Sequence, residues 1–254
     1  YLMRNIKLTI EYDGTNFSGW QIQPHDRTIQ NEIEKTSQKI FNEKIKLIGS
    51  GRTDSGVHAL GQVANFKTQS SMTYEEIQKA LNANLPKDIV ILNVEEVSLK
   101  FHAQYDAKKK FYRYTILHRP VRCAQQRYFC LFYPHPLNLR LMREEAKVLI
   151  GRHNFKSFQA SDPSKPHRSK DTIRTIKHLD IIKRGDSVII EIEANGFLYK
   201  MVRNIVGTLL EIGNNKRQVR FIMGSPLLTD PFHPNRWDYV YTNKPGDKRE
   251  IAEY

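Results

Sequence analysis

Residues 44–66 read KIKLIGSGRTDSGVHALGQVANF. Residues 44–49 and 60–66 have the apolar and β-branched character of strands, and the loop between them is rich in glycine. Two strands in succession with no helix between them form the middle pair of a β-α-β-β-α-β unit. Its other members lie to either side. Residues 4–11 alternate, with Ile6, Leu8 and Ile10 on one face, which predicts a strand. Residues 28–41 carry Ile29, Ile33, Ser37, Ile40 and Phe41 at helical spacing. Thr73 and Glu76 form a capping box ahead of Ile77, Ala80 and Leu81, so a second helix begins there. Residues 89–97 read as the closing strand.

The second half follows the same order without repeating the sequence. Residues 110–117 alternate, with Phe111, Arg113 and Thr115 opposed to Tyr112, Tyr114 and Ile116. Residues 118–136 are polar and contain prolines, as in a loop or linker. Asn138 can cap a helix carrying Leu139, Met142, Ala146 and Leu149, closed by Gly151. Residues 173–183 and 187–194 flank Arg184-Gly185-Asp186, a hairpin signal. Residues 197–212 predict a strongly apolar helix, and 237–242 are the candidate last strand. The expected fold is therefore α+β: two ferredoxin-like βαββαβ halves, residues 1–105 and 106–254, whose antiparallel sheets join around a central cleft. The first half carries the glycine-rich loop, and the cleft is the natural ligand site.

Composition narrows the class. A chain of 254 residues holds one or two domains, long enough for a core without staples. With 39% hydrophobic and 26% charged residues it is globular rather than disordered. No run approaches the roughly 18 apolar residues of a membrane span, and no leader-type apolar segment opens the chain. Cys123 and Cys130 are too few for a disulfide framework or a zinc site, so a reducing cytosol is the expected compartment. Forty Lys and Arg against 27 Asp and Glu give a net charge of +13, a field suited to a polyanion such as nucleic acid.

The chemistry concentrates in Gly49-Ser50-Gly51-Arg52-Thr53-Asp54-Ser55-Gly56-Val57-His58-Ala59. A surface turn accounts for the Gly, Ser and Asp here but not for Arg52. Asp54-Ser55-Gly56 also spells the aspartic-protease signature. That chemistry needs two carboxylates sharing a proton, and the chain has no second copy.

The run from Gly51 to Ala59 closely resembles the catalytic motif of the tRNA pseudouridine synthase A family. Other segments resemble that family in its own order: Glu11-Tyr12-Asp13-Gly14-Thr15 with Gly19-Trp20-Gln21; Asn82-Ala83-Asn84-Leu85-Pro86; Phe101-His102-Ala103; Phe111-Tyr112-Arg113-Tyr114; Asn154-Phe155-Lys156-Ser157-Phe158; and Met201-Val202-Arg203-Asn204-Ile205-Val206-Gly207. Together they span roughly residues 6–213.

The resemblance implies the pseudouridine synthase fold and isomerisation of uridine to pseudouridine in the anticodon stem-loop of tRNA, at tRNA positions 38, 39 and 40. It implies no metal and no organic cofactor, and a cytoplasmic homodimer. Asp54 aligns with the essential aspartate, where a carboxylate is compatible with attack on the sugar C1′, attack on uracil C6, or deprotonation of the sugar. Arg203 matches the late basic residue that by resemblance pairs with Asp54, and Tyr112 matches the pocket tyrosine that supports a flipped base. Arg52 matches the residue proposed to intrude and hold the base out. The segment Phe101, His102, Ala103, Gln104 and Tyr105, and His167, Arg168 and Lys170 in the loop 163–171, correspond to stretches that touch tRNA. Further phosphate contacts are expected from the basic runs 103–127, which contains Lys108, Lys109 and Lys110, and 163–177.

The sequence departs from the family at two places. Gln104 stands where arginine commonly follows Phe-His-Ala. After Gly213 neither the family's late proline segment nor its terminal Gly-Leu-Tyr strand is recognisable. Two other classes fit less well. Tandem RRMs share the topology but need glycine-bearing aromatic strands, and 110–114 has no glycine. A metal nuclease needs clustered carboxylates, whereas Arg52 and Arg203 would repel a metal. Trp20 suits either RNA stacking or the core. His58, His102, Cys123 and Cys130 are assigned no chemistry.

Overall fold

Alternation sets the first strand: in β1 (Arg4–Tyr12) Ile6, Leu8 and Ile10 are wholly buried on one face. The computed structural model describes residues 2–160, 171–214 and 238–241, the last stretch through its backbone. After β1 come α1 (Ile29–Phe41), β2 (Ile48–Gly49), β3 (His58–Thr68), α2 (Tyr74–Asn84) and β4 (Ile89–Val97). The Thr73 side chain accepts from Glu76 N–H while the Glu76 carboxylate accepts from Thr73 N–H, so α2 starts where its capping box requires. The inner faces of both helices supply Ile29, Ile33, Ile77 and Leu81 to one core with the sheet residues Ile6, Leu8, Ile10, Phe66 and Ile91.

The second half contains β5 (Lys110–Leu117), β6 (Leu131–Phe132), α3 (Leu139–Ala146), β7 (Gly151–Asn154), β8 (Ile173–Arg184), β9 (Ser187–Ala194), α4 (Met201–Gly213) and β10 (Asp238–Tyr241). Its own core packs Ile205, Val206 and Leu209 of α4 and Met142 of α3 against Tyr114, Ile116, Ile190 and Ile192.

All described strands join one sheet in the order β4-β1-β3-β10-β5-β9-β8-β7, with β2 paired to β3 and β6 to β5. Within each half the fourth strand flanks the first and the first flanks the third: β4-β1-β3 here, β10-β5-β9-β8 there. The fold is therefore α+β, two ferredoxin-like units sharing one sheet. The junction is β10, which runs parallel to β3 and antiparallel to β5, with Val240 opposite both Ala59 and Tyr112. Among the described residues no helix is long and apolar enough to cross a membrane.

The structure corrects several expectations. The strand predicted over 44–49 shrinks to β2, because α1 side chains satisfy the backbone before it: Leu47 N–H donates to Glu34 Oε1 (2.8 Å), and Gln30 Nε2 donates to Leu47 O (3.1 Å). The helix predicted from residue 197 begins only at Met201. Lys200 holds a left-handed φ of 54°, and Tyr199 O accepts from Ala160 N–H (3.1 Å) instead of joining a helix. The helix expected to run to Gly151 tightens to a 3₁₀ turn at 147–149, and Gly151 (φ 109°) opens the unforeseen edge strand β7. β6 also lies inside the region expected to be loop. The strand expected over 237–242 is β10.

Candidate active site

The glycine-rich loop leaves β2 and re-enters the sheet at β3. Its first turn is tied to the sheet: Ser50 N–H donates to Val63 O (2.8 Å), Ser50 Oγ to Gln62 Oε1 (2.8 Å), and Gln62 Nε2 to Gly51 O (2.6 Å). Its far side leans on residues 12–20. Trp20 N–H donates to Thr53 O (3.0 Å), Gly56 N–H to Phe17 O (3.2 Å), and Tyr12 Oη shares a hydrogen bond with Thr53 Oγ1 (2.9 Å). Burial pushes the Tyr12 phenol up, against the smaller opposing effect of that bond, so it stays a neutral strut. Val57 N–H closes the turn on Asp54 O (3.2 Å), with Gly56 at φ 78°. Trp20 is 3% exposed and fills the core beneath this loop, which decides its role in favour of packing.

Asp54 is half-buried at the crest of the turn. It lines a cavity of about 400 Å³ together with Arg52, Tyr112 and Arg203, so residues from three separate elements converge. β5 brings Tyr112, whose ring meets Phe197 edge-on at 4.9 Å and 79°. The first turn of α4 brings Arg203, whose Nη2 donates to Ser55 O (3.2 Å) across 148 residues of sequence. Arg52 is exposed at the rim. Residues 197–202 complete one wall, which is why the late start of α4 matters: a continuous helix would replace this irregular segment.

Gln104 also lines the cavity. Around it, Phe101 and His102 are half-buried, Ala103 is buried, and Tyr105 is 79% exposed with its ring stacked on His102 at 4.2 Å. Two buried amides hold this segment. Asn65 Oδ1 accepts from Ala103 N–H (2.9 Å), and Asn5 Nδ2 donates to Ser98 O (2.8 Å) and Phe101 O (3.0 Å). His167, Arg168 and Lys170 lie outside the described residues. Among the described residues there is no group of three or more His, Cys, Asp or Glu side chains able to hold a metal.

Sequence reasoning left three features unassigned. His58 is a buried brace, with Nδ1 accepting from Gly14 N–H (3.1 Å), Nε2 bonded to Tyr128 O (3.1 Å), and its ring stacked on Phe129 at 4.6 Å. Lys110 and Arg174 also line the cavity, although in the sequence they stood only as members of charge runs. Their signal was the face-by-face alternation of β5 and β8, legible once the pairing partners are known.

The family model described as tRNA pseudouridine synthase matches residues 8–106 and 146–225. A second model, the outer membrane protein assembly factor BamE domain, matches residues 206–253 and overlaps the first. The chain is similar to tRNA pseudouridine synthase A of Thermoanaerobacter sp. (strain X514), 48% identical over 214 residues that cover 84% of this chain and 86% of that one. It is 46% identical over 220 residues to tRNA pseudouridine synthase A 2 of Clostridium perfringens (strain 13 / Type A), covering 87% and 88%. Among solved structures it is similar to a chain of the archaeal box H/ACA sRNP Nop10-Cbf5 complex, with 13% identity and a TM-score of 0.33. That match covers 81% of this chain and 44% of the other, so the chain spans under half of its length.

Proposed function

The chain belongs to the tRNA pseudouridine synthase family, and from that membership we propose that it isomerises uridine to pseudouridine in the anticodon stem-loop of tRNA, at positions 38, 39 and 40. The reaction breaks the bond between uracil N1 and sugar C1′ and forms one between C5 and C1′. The C5 hydrogen leaves as a proton and N1 gains one, so the product is an isomer and no redox partner is needed.

Each side chain has a task suited to its position. A uridine within a stem must be extruded at a cost of a few kcal/mol before any group can reach it. Arg52, exposed at the rim, intrudes and holds the base out. The base enters the cavity beside the ring of Tyr112, which is itself steadied by Phe197. Asp54 is the nucleophile or base of the isomerisation. Arg203 pairs with it and keeps it ionised against the desolvation that the entering base imposes. The segment 101–105 and the residues His167, Arg168 and Lys170 contact the tRNA backbone and loop. The enzyme works without a metal, in the cytoplasm, as a homodimer of chains whose halves, 1–105 and 106–254, enclose the cleft.

The observation that carries this reading is the convergence of Asp54, Tyr112 and Arg203 on one cavity from a loop, a strand and a helix. Its test is tritium release from tRNA labelled at uridine C5, in the presence of EDTA, with the modified position mapped afterwards. Release at positions 38–40 is the expected result. Tight tRNA binding without release would turn the reading to a non-catalytic RNA-binding module.

A further inference from the structure

The inner face of β5 changes character along its length. Ile116 and Tyr114 are buried in the core, Tyr112 reaches the cavity, and the next position on the same face is Lys110. A lysine continuing an apolar row needs a reason. Lys110 pairs in register with Ala194 and packs against Gly51, where an added Cβ would lie 2.7 Å from Nζ. Both small residues leave room for the amine.

The cations beside it are treated differently. Lys109 Nζ bonds Glu193 (2.9 Å) and Arg113 bonds Glu191 (2.7 Å). Among the described residues, by contrast, no carboxylate or carbonyl accepts from the Lys110 amine. The charge that acts on it is another cation, Arg174, which lines the same cavity and lies alongside Gly196. Burial first, and the Arg174 charge second, hold the Lys110 amine below the usual lysine range. Arg174 Nη1 donates to Asp171 O (3.3 Å) and Ile173 O (2.6 Å), and the exposed Asp171 carboxylate stands 3.9 Å away. The cavity lining as a whole sets Arg52, Lys110, Arg174, Lys200 and Arg203 against the carboxylate of Asp54.

We propose that Lys110 and Arg174 form an anion subsite on the cavity wall that takes one backbone phosphate next to the extruded nucleotide. The subsite rests on the RNA-modifying reading above and extends it. A phosphodiester offers oxygens to an ammonium and a guanidinium together, and relieves the repulsion between them. Lys110 thereby acts as a positioning residue: it fixes where the strand runs and so where the base enters, without touching the reacting atoms.

The test uses the intact protein and an anticodon stem-loop RNA in which each phosphate flanking the target uridine is replaced singly by a neutral methylphosphonate. At one such position wild-type binding should weaken by about tenfold. Lys110→Met should already bind about tenfold more weakly, and should lose less than about twofold further at that position, because the two changes remove the same contact. The dependence of log affinity on log salt should fall by about one in Lys110→Met and be restored in Lys110→Arg. Unchanged thermal melting of Lys110→Met supports the assignment by excluding an effect through folding. Equal penalties for both proteins at every methylphosphonate, or an unchanged salt slope, would overturn the subsite. So would loss of turnover in Lys110→Met with binding intact, which would make the amine a proton carrier. Tritium release by the wild type is scored separately: its absence from tRNA counts against the proposed function, whereas the methylphosphonate comparison judges the subsite on binding alone.

Discussion

The backbone around Asp54 is anchored at several points. Val57 N–H closes on its carbonyl, and the residues on either side are anchored to Trp20 and to Arg203. Asp54→Ala should therefore leave the loop in place, abolishing tritium release while changing tRNA affinity by only several-fold. Retention of release in that variant would remove the nucleophile assignment. His58 gives a prediction of a different kind. Gly14 N–H donates to Nδ1 and Tyr128 O faces Nε2, an arrangement that fits the neutral ring protonated at Nε2. Asp13 Oδ1, 3.0 Å from Nδ1, would favour the charged form, but burial outweighs it and the folded pKa is lowered. A depressed histidine contributes stability above its unfolded value of about 6.5 and loses it as pH falls through the folded value. Melting temperature should thus drop on acidification from about pH 7 to about pH 5. His58→Gln should be less stable at pH 7 by about 1–2 kcal/mol yet flatter across that window.

At the scale of elements, local rules and tertiary demands can be separated experimentally. The capping box of α2 contributes no residue to the cavity lining and acts on its own helix. Thr73→Ala should lower stability by about 1 kcal/mol and leave turnover unchanged, as denaturant unfolding and tritium assays would read. Gly19 is where two elements meet. At φ 96°, an added Cβ would sit 2.6 Å from Thr53 O, a backbone atom of the loop that bears Asp54. Gly19→Ala should cost about 2 kcal/mol or more and reduce turnover as well, because the strain can be relieved only by shifting that loop. The capping box was legible because Thr73 and Glu76 are three residues apart and their bonds need no distant partner. The irregular stretch 197–200 was not. Its composition suits a helix, and the left-handed Lys200 and the bond from Ala160 N–H are imposed from outside.

For the whole molecule the decisive element is β10. It is the contact between the sheets of the two halves, pairing with β3 on one side and β5 on the other, and these are the strands that carry the loop of Asp54 and Tyr112. A proline there removes a central ladder bond, so Val240→Pro should destabilise by about 3 kcal/mol and, unlike Thr73→Ala, lower activity. Residues 206–253 match a second family model, yet within that stretch 206–213 lie in α4 and 238–241 form this central strand. The net charge of +13 acts at the same scale: the logarithm of tRNA affinity should fall steeply and linearly with log salt.

The order of the elements and the loop that bears Asp54 were written into the sequence. Each depends on periodicity, capping or a contiguous motif, interactions that act over a few residues. Folding alone decided which side chains meet. Arg203 reaches Ser55 across 148 residues, residues 197–202 become a cavity wall, and Lys110 comes to line one cavity with Arg174. Those encounters follow from strand register and from the placement of β10 between β3 and β5, and sheet pairing over such separations leaves no mark in local sequence.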